Sequence, residues 1–108
     1  TWKARRAASY LVPRSWKEPH LLRFQKVPNQ SEHDHTGMIM HHDGGDISWH
    51  LMLSAQGIDY TGGGTYFRCL RKTIVLRKGQ VLVHPGNLYH RGVDITSGTR
   101  TLMVCFMD

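Results

Sequence analysis

From Met38 to the end of this 108-residue chain, short apolar-polar runs alternate with turn residues. The spacing, about 8–12 residues, is that of sandwich and barrel proteins. All 11 glycines fall at or after Gly37, whereas three of the four prolines precede it. The last run, Thr99 to Met107, is apolar on both faces (Leu102, Val104 and Phe106; Met103, Cys105 and Met107), as a strand in the middle of a packed sheet is. These three observations predict an all-β chain. Its core is a double-stranded β-helix, or jelly roll, behind a short, weakly structured N-terminal flank.

In order, residues 1–19 form the basic flank and residues 20–108 the domain. Within the flank, Ala4 to Leu11 predicts a short helix ended by Val12-Pro13. His20 to Gln25 predicts a strand, and the polar stretch Pro28 to Gly37 a loop. Met38 to Asp43 predicts the next strand. Ile47 to Leu53 alternates, with Ile47, Trp49, Leu51 and Leu53 on one face and Ser48, His50 and Met52 on the other. Gly62-Gly63-Gly64 breaks the chain in a sharp bend near the mouth of the barrel, a conformation that positive φ allows. Thr65 to Leu70, Thr73 to Arg77 and Gln80 to His84 are read as strands, with turns at Lys78-Gly79 and Pro85-Gly86. Leu88 to Ile95 and Thr99 to Met107 complete the set, with Ser97-Gly98 between them.

Composition narrows the function classes. Fourteen basic residues face eight acidic ones, a formal +6. Residues 1–30 hold seven basic residues against Glu18 alone, so the excess belongs to the N-terminal segment rather than to the likely core. A solvated flank is the plain reading of such a segment; a basic arm for nucleic acid or another acidic partner is the alternative. The chain has no apolar run long enough to span a membrane, so no membrane partner is expected. Thr1-Trp2-Lys3-Ala4-Arg5-Arg6 offers no apolar signal region. Without an initiator Met the chain is expected to be a piece of a longer one. Cys69 and Cys105 are too few for a disulfide scaffold, and without a CxxC pair a thiolate zinc site is not expected. Eight histidines are the first chemical hint, because imidazole is the commonest metal ligand.

The chemistry concentrates at Met40-His41-His42-Asp43. Residues two apart on a strand share a face, so His41 and Asp43 present one imidazole and one carboxylate to a common point. His90, 47 residues after Asp43, is the candidate second histidine, and Arg100 follows ten residues later. Two histidines and one carboxylate with open positions suit non-haem Fe(II). A guanidinium in the same mouth suits a carboxylate. Together they match 2-oxoglutarate, whose 2-oxo acid end chelates iron while its distal carboxylate needs a cation. Singly, each of these residues is an ordinary surface or core residue; order and spacing jointly carry the reading.

Beyond these residues, the sequence resembles the Fe(II)/2-oxoglutarate dioxygenases of the procollagen-lysine and prolyl 4-hydroxylase group. The matching stretches are HHD at 41–43, GIDYTGGGTYF at 57–67, RKGQVLVHPGNLYH at 77–90 and GTR at 98–100, with LLRFQK at 21–26 similar to the preceding strand. The resemblance covers roughly residues 20–108 and leans toward the lysyl branch. It implies His41, Asp43 and His90 as iron ligands and Arg100 as the partner of the 2-oxoglutarate distal carboxylate. The cofactors it implies are Fe(II), 2-oxoglutarate as co-substrate, O2 and, as an accessory, ascorbate. The implied reaction hydroxylates an unactivated C–H of a peptidyl lysine or proline while 2-oxoglutarate becomes succinate; the implied partner is a peptide or protein. Phe24 departs from the pattern, because the related strand often carries a Tyr whose hydroxyl helps bind 2-oxoglutarate, and Phe cannot donate that bond.

The remaining conspicuous residues receive plainer readings. His33-x-His35 lacks a carboxylate at strand spacing and is not expected to hold a metal. His42 and His50 are expected to face away from the iron, and His84, before a Pro-Gly turn, to be structural. Tyr60 is a candidate for the substrate side. Two other functions compete with the hydroxylase. One is a nucleic-acid demethylase using the basic arm, which the resemblance disfavours because Phe106 stands where such enzymes carry a second Arg. The other is a non-catalytic or truncated β-barrel binding module.

Overall fold

The computed structural model describes residues 18–28 and 35–108. The helix expected at Ala4–Leu11 and the residue His33 lie outside the described residues. Among the described residues every regular element is a strand: β1 His20–Lys26, β2 Met38–His41, β3 Ile47–Met52, β4 Tyr60–Gly62, β5 Thr65–Phe67, β6 Lys72–Ile74, β7 Val81–Pro85, β8 His90–Gly92 and β9 Ile95–Met107. They form two antiparallel sheets. The larger runs β1-β9-β3-β7 with β4 also on β9, and the smaller runs β2-β8-β5-β6. This is the all-β jelly-roll core that the alternation predicts. No described helix is long and apolar enough to cross a membrane.

The core explains the order of the large sheet. Phe24, Met52, Tyr60, Ile95, Leu102 and Val104 form its buried cluster. Leu102 and Val104 on β9 face inward between β1 and β3, and Cys105 on the opposite face is buried as well. A central strand of this kind needs apolar residues on both sides, as its sequence has. No disulfide joins buried Cys105 to exposed Cys69.

Three elements differ from expectation. Ser97-Gly98 is not a turn, because β9 runs on through it as one 13-residue strand. Gly98 adopts φ 83° there, and a Cβ would strike the Asp59 carbonyl oxygen. The strand can therefore press against β4 without ending. β2 stops at His41, two residues short of Asp43. On β3 the alternation holds, but the polar set faces the interior: Ser48, His50 and Met52 are buried, while Ile47 is exposed and Trp49 and Leu51 are half-buried. Burying polar groups is tolerable only where they find partners, and they find them in the space between the sheets.

Candidate metal centre

Each sheet contributes one wall of the site. His41 on β2 and His90 on β8 are direct cross-strand partners, so their side chains share the inner face of the small sheet. Their ring centroids are 4.5 Å apart. Opposite them, Ser48 on β3 pairs with His84 on β7, and His50 lies two residues further along the same face. Asp43 sits between the walls. Its position comes from the turn after β7, since the Asp43 N–H donates to the Gly86 carbonyl at 2.8 Å and the Gly86 N–H donates to the Asp46 carbonyl at 2.8 Å. Strand alternation does not set it, because β2 has already ended.

Asp43 divides its oxygens between the two walls. Oδ1 lies 3.5 Å from His41 Nε2 and 3.5 Å from His90 Nε2. Oδ2 accepts a 2.6 Å bond from the Ser48 hydroxyl and lies 3.9 Å from His84 Nε2. On the far side of each ring, His41 Nδ1 is 2.6 Å from the Ile39 carbonyl and His90 Nδ1 is 2.9 Å from the Leu88 carbonyl. A carbonyl can only accept, so each Nδ1 carries the proton when its ring is neutral. Both Nε2 atoms then present bare lone pairs to one carboxylate oxygen. That donor set fits a divalent metal: ligand atoms bound at about 2.1 Å stand about 3.0–3.5 Å apart. The backbone carbonyls fix tautomer and ring orientation, as partners behind metal-bound histidines do. Burial holds the His90 pKa below its ordinary value, which keeps the ring neutral and able to ligate.

Two histidines that sequence reasoning placed elsewhere belong to this neighbourhood. His50 does not turn away; it is buried and lines the same cavity. Burial, reinforced by His84 and His90, pulls its pKa from 6.5 to about 4. His84 Nε2 lies 3.5 Å from His50 Nε2. The missed signal was Ser48-x-His50-x-Met52 itself, since a polar run on an otherwise apolar strand marks an inward polar site when the opposite face is exposed.

The cavity runs from these rings to Arg100. Its lining includes His41, Asp43, His50, Thr65, His90 and Arg100, with apolar walls from Phe24, Met38, Leu102 and Val104. Its accessible volume is about 90 Å³. Arg100, cross-strand partner of Phe24, is only 2% exposed. Its Nη1 donates to the Gly64 carbonyl at 3.2 Å and its Nη2 to the Thr65 hydroxyl at 3.3 Å, while Nε has no partner. Its guanidinium carbon stands 5.4 Å from the centre of the Phe24 ring. Among the described residues no carboxylate forms an ion pair with it. Desolvation by burial lowers its pKa, and an uncompensated buried cation is costly. The buried Tyr60 hydroxyl lies beside it, and the two side chains interact. The triple glycine makes the approach possible: Gly62, Gly63 and Gly64 all have positive φ, and the bend turns the Gly64 carbonyl onto Arg100. Phe106 lines the cavity as an apolar wall, and His42 instead packs edge-on against Tyr89, 5.1 Å between centroids.

The jelly roll thus holds two histidines and one carboxylate at one end of a cavity and a buried arginine at the other, a donor set for a metal ion beside a cation for an anionic ligand. No family model matches the chain. Among known proteins, it is 45% identical over 73 residues to a human multifunctional procollagen lysine hydroxylase and glycosyltransferase, a match covering 63% of this chain and 10% of that protein. It is 39% identical over 71 residues to a Drosophila melanogaster procollagen-lysine,2-oxoglutarate 5-dioxygenase (63% and 10%). It is 40% identical over 74 residues to the Bos taurus procollagen-lysine,2-oxoglutarate 5-dioxygenase 1 (66% and 10%). Over the matched stretch the chain is similar in sequence to these procollagen-lysine hydroxylases. It spans about a tenth of the length of the relatives it matches.

Proposed function

We propose that the chain is an Fe(II)- and 2-oxoglutarate-dependent dioxygenase that hydroxylates a lysine side chain in a peptide or protein. One observation carries this reading: two bare imidazole nitrogens meet one carboxylate oxygen in a cavity that also holds a buried guanidinium with no counter-ion among the described residues. The relatives' names, which specify lysine and 2-oxoglutarate, support the choice of substrate and co-substrate.

In this reading His41, Asp43 and His90 hold Fe(II), leaving its other positions open. When bound, iron supplies the oxidising chemistry: with O2 and 2-oxoglutarate, a C–H becomes C–OH and the co-substrate becomes succinate and CO2. The chain's own residues orient and shield. Asp43 brings the negative charge, and Ser48 holds its second oxygen so that the first stays aimed at the histidines. Arg100 receives the distal carboxylate of 2-oxoglutarate, with Thr65 beside it. The Tyr60 hydroxyl is placed to supply the donor that Phe24 lacks. Phe24, Met38, Leu102 and Val104 keep water from the reacting end. His41, with 30% of its side chain exposed, marks the side from which a lysine side chain enters.

The test is incubation of the full chain with Fe(II), 2-oxoglutarate, ascorbate and lysine- or proline-containing peptides, followed by mass spectrometry. A gain of one oxygen on lysine, with Fe(II)-dependent succinate release that His41→Ala abolishes, is the expected result. Succinate release that persists in His41→Ala refutes the assignment, and an oxygen gained only on proline moves the substrate to the prolyl branch.

A further inference from the structure

We propose that the centre contains a second, overlapping ligand set, Asp43, His50, His84 and His90, which closes around Zn2+ as a four-ligand inhibitory site. It shares Asp43 and His90 with the iron set and replaces His41 by two histidines of the large sheet. One donor atom from each of the four lies within 4.8 Å of all the others, and all four residues are buried. Three contacts among these residues are shorter: 3.5 Å between His50 Nε2 and His84 Nε2, 3.5 Å between His90 Nε2 and Asp43 Oδ1, and 3.9 Å between His84 Nε2 and the other Asp43 oxygen, Oδ2. Donors around a tetrahedral Zn2+ with bonds of about 2.0–2.1 Å stand about 3.3–3.4 Å apart. Side-chain rotations that draw in donors now as much as 4.8 Å apart complete the shell.

The protonation pattern points the same way. His84 Nδ1 lies 2.7 Å from the Pro85 carbonyl, as His90 Nδ1 lies near Leu88, so each ring turns its Nε2 atom inward. His50 brings a third ring whose Nδ1 has no partner at all. Three buried imidazoles around one carboxylate offer a nitrogen-rich donor set to a cation. Nitrogen-rich sets prefer Zn2+ to Fe2+ in the general order of divalent affinities. With four protein ligands the shell is full. No position then remains for the 2-oxo acid, and occupancy of Asp43 and His90 excludes the iron set. Zinc at this place is an off-switch.

The test uses the full chain with Co2+ as the spectroscopic stand-in for Zn2+. Wild type should take up one Co2+ with the intense visible absorption of a four-coordinate ion, and one equivalent of Zn2+ should displace it. His41→Ala, which disables the iron set, should keep that spectrum. His84→Ala should lose it, with Zn2+ affinity falling by roughly 100-fold. His50→Asn should do the same and carries the test if His84→Ala does not fold, as judged by circular dichroism. A pale six-coordinate spectrum in wild type, loss of the intense band in His41→Ala, or unchanged Zn2+ affinity in the folded His84 or His50 variant overturns the proposal. Fe(II)-dependent succinate release by wild type is measured separately, so either reading can fail without the other.

Discussion

Asp43 shows how one side chain can serve two walls. Its Oδ1 faces the histidines of the small sheet, and its Oδ2 is held by Ser48 from the large one. Ser48→Ala frees that second oxygen to rotate, and Fe(II) retention should weaken by roughly 10-fold in equilibrium binding. Arg100→Ala should raise the KM for 2-oxoglutarate by about 10–100-fold, the value of a lost charged hydrogen bond, while Fe(II) affinity stays as in wild type; steady-state kinetics at varied co-substrate reads this. In the metal-free chain, burial lowers His50 to about 4 and moves His90 in the same direction. Both rings bind protons more readily when unfolded, so stability is whole above about pH 6.5 and falls as pH drops toward 4. His50 alone should account for about 3 kcal/mol, measured by denaturant melts across that range with His50→Asn as the control. At this scale order and spacing pointed to His41, Asp43 and His90, but the alternation invoked for Asp43 is not what positions it, because β2 ends at His41. The positions of His50 and His84 were not readable, because strand alternation says which residues share a face but not which face is inside.

Strands and turns set where these side chains arrive. The turn after β7 packs so tightly on the chain after β2 that a Cβ at Gly86 would overlap the Gly45 carbonyl oxygen. Gly86→Ala must push the two segments apart. It should cost about 1–3 kcal/mol, as overpacking does, and should weaken Fe(II) binding as well, because the Gly86 carbonyl anchors Asp43. A thermal melt and a metal titration on the same sample would show both losses; a lower Tm with Fe(II) affinity intact would mean that Asp43 does not depend on this turn. Most strands were legible because glycine and proline punctuate them. Ser97-Gly98 misled: its glycine serves a close approach to β4 within β9 rather than a turn. β4 itself, three residues long, is too short for any alternation to be read.

At the scale of the whole molecule, two sheets enclose a polar centre and leave apolar residues outside. Val81 and Val83 on β7 are 54% and 62% exposed, and Ile47 on neighbouring β3 is 43% exposed. These three share the outer face of the large sheet with Trp49 and Leu51. An exposed apolar edge of this kind favours self-association. Val83→Lys, far from any buried partner, should change stability by no more than about 0.5 kcal/mol and should reduce light scattering at high protein concentration. The double-layered plan was visible in the count and spacing of runs. Its inversion at β3 was not, because a strand with polar residues inside and apolar residues outside runs against the usual partition; only the partners that β7 and the Asp43 loop bring can justify it.

On the proposed function, the sequestered guanidinium of Arg100 would make fold stability and 2-oxoglutarate occupancy a single linked equilibrium. Dehydration of that cation happens when the chain folds, before any dicarboxylate arrives, so the empty protein sits higher in free energy than the filled one. A five-carbon dicarboxylate should therefore lift the melting temperature even without iron, whereas a monocarboxylate lacking the distal charge should leave it unmoved. A cell short of 2-oxoglutarate would then hold not merely an idle population of this chain but a more fragile one.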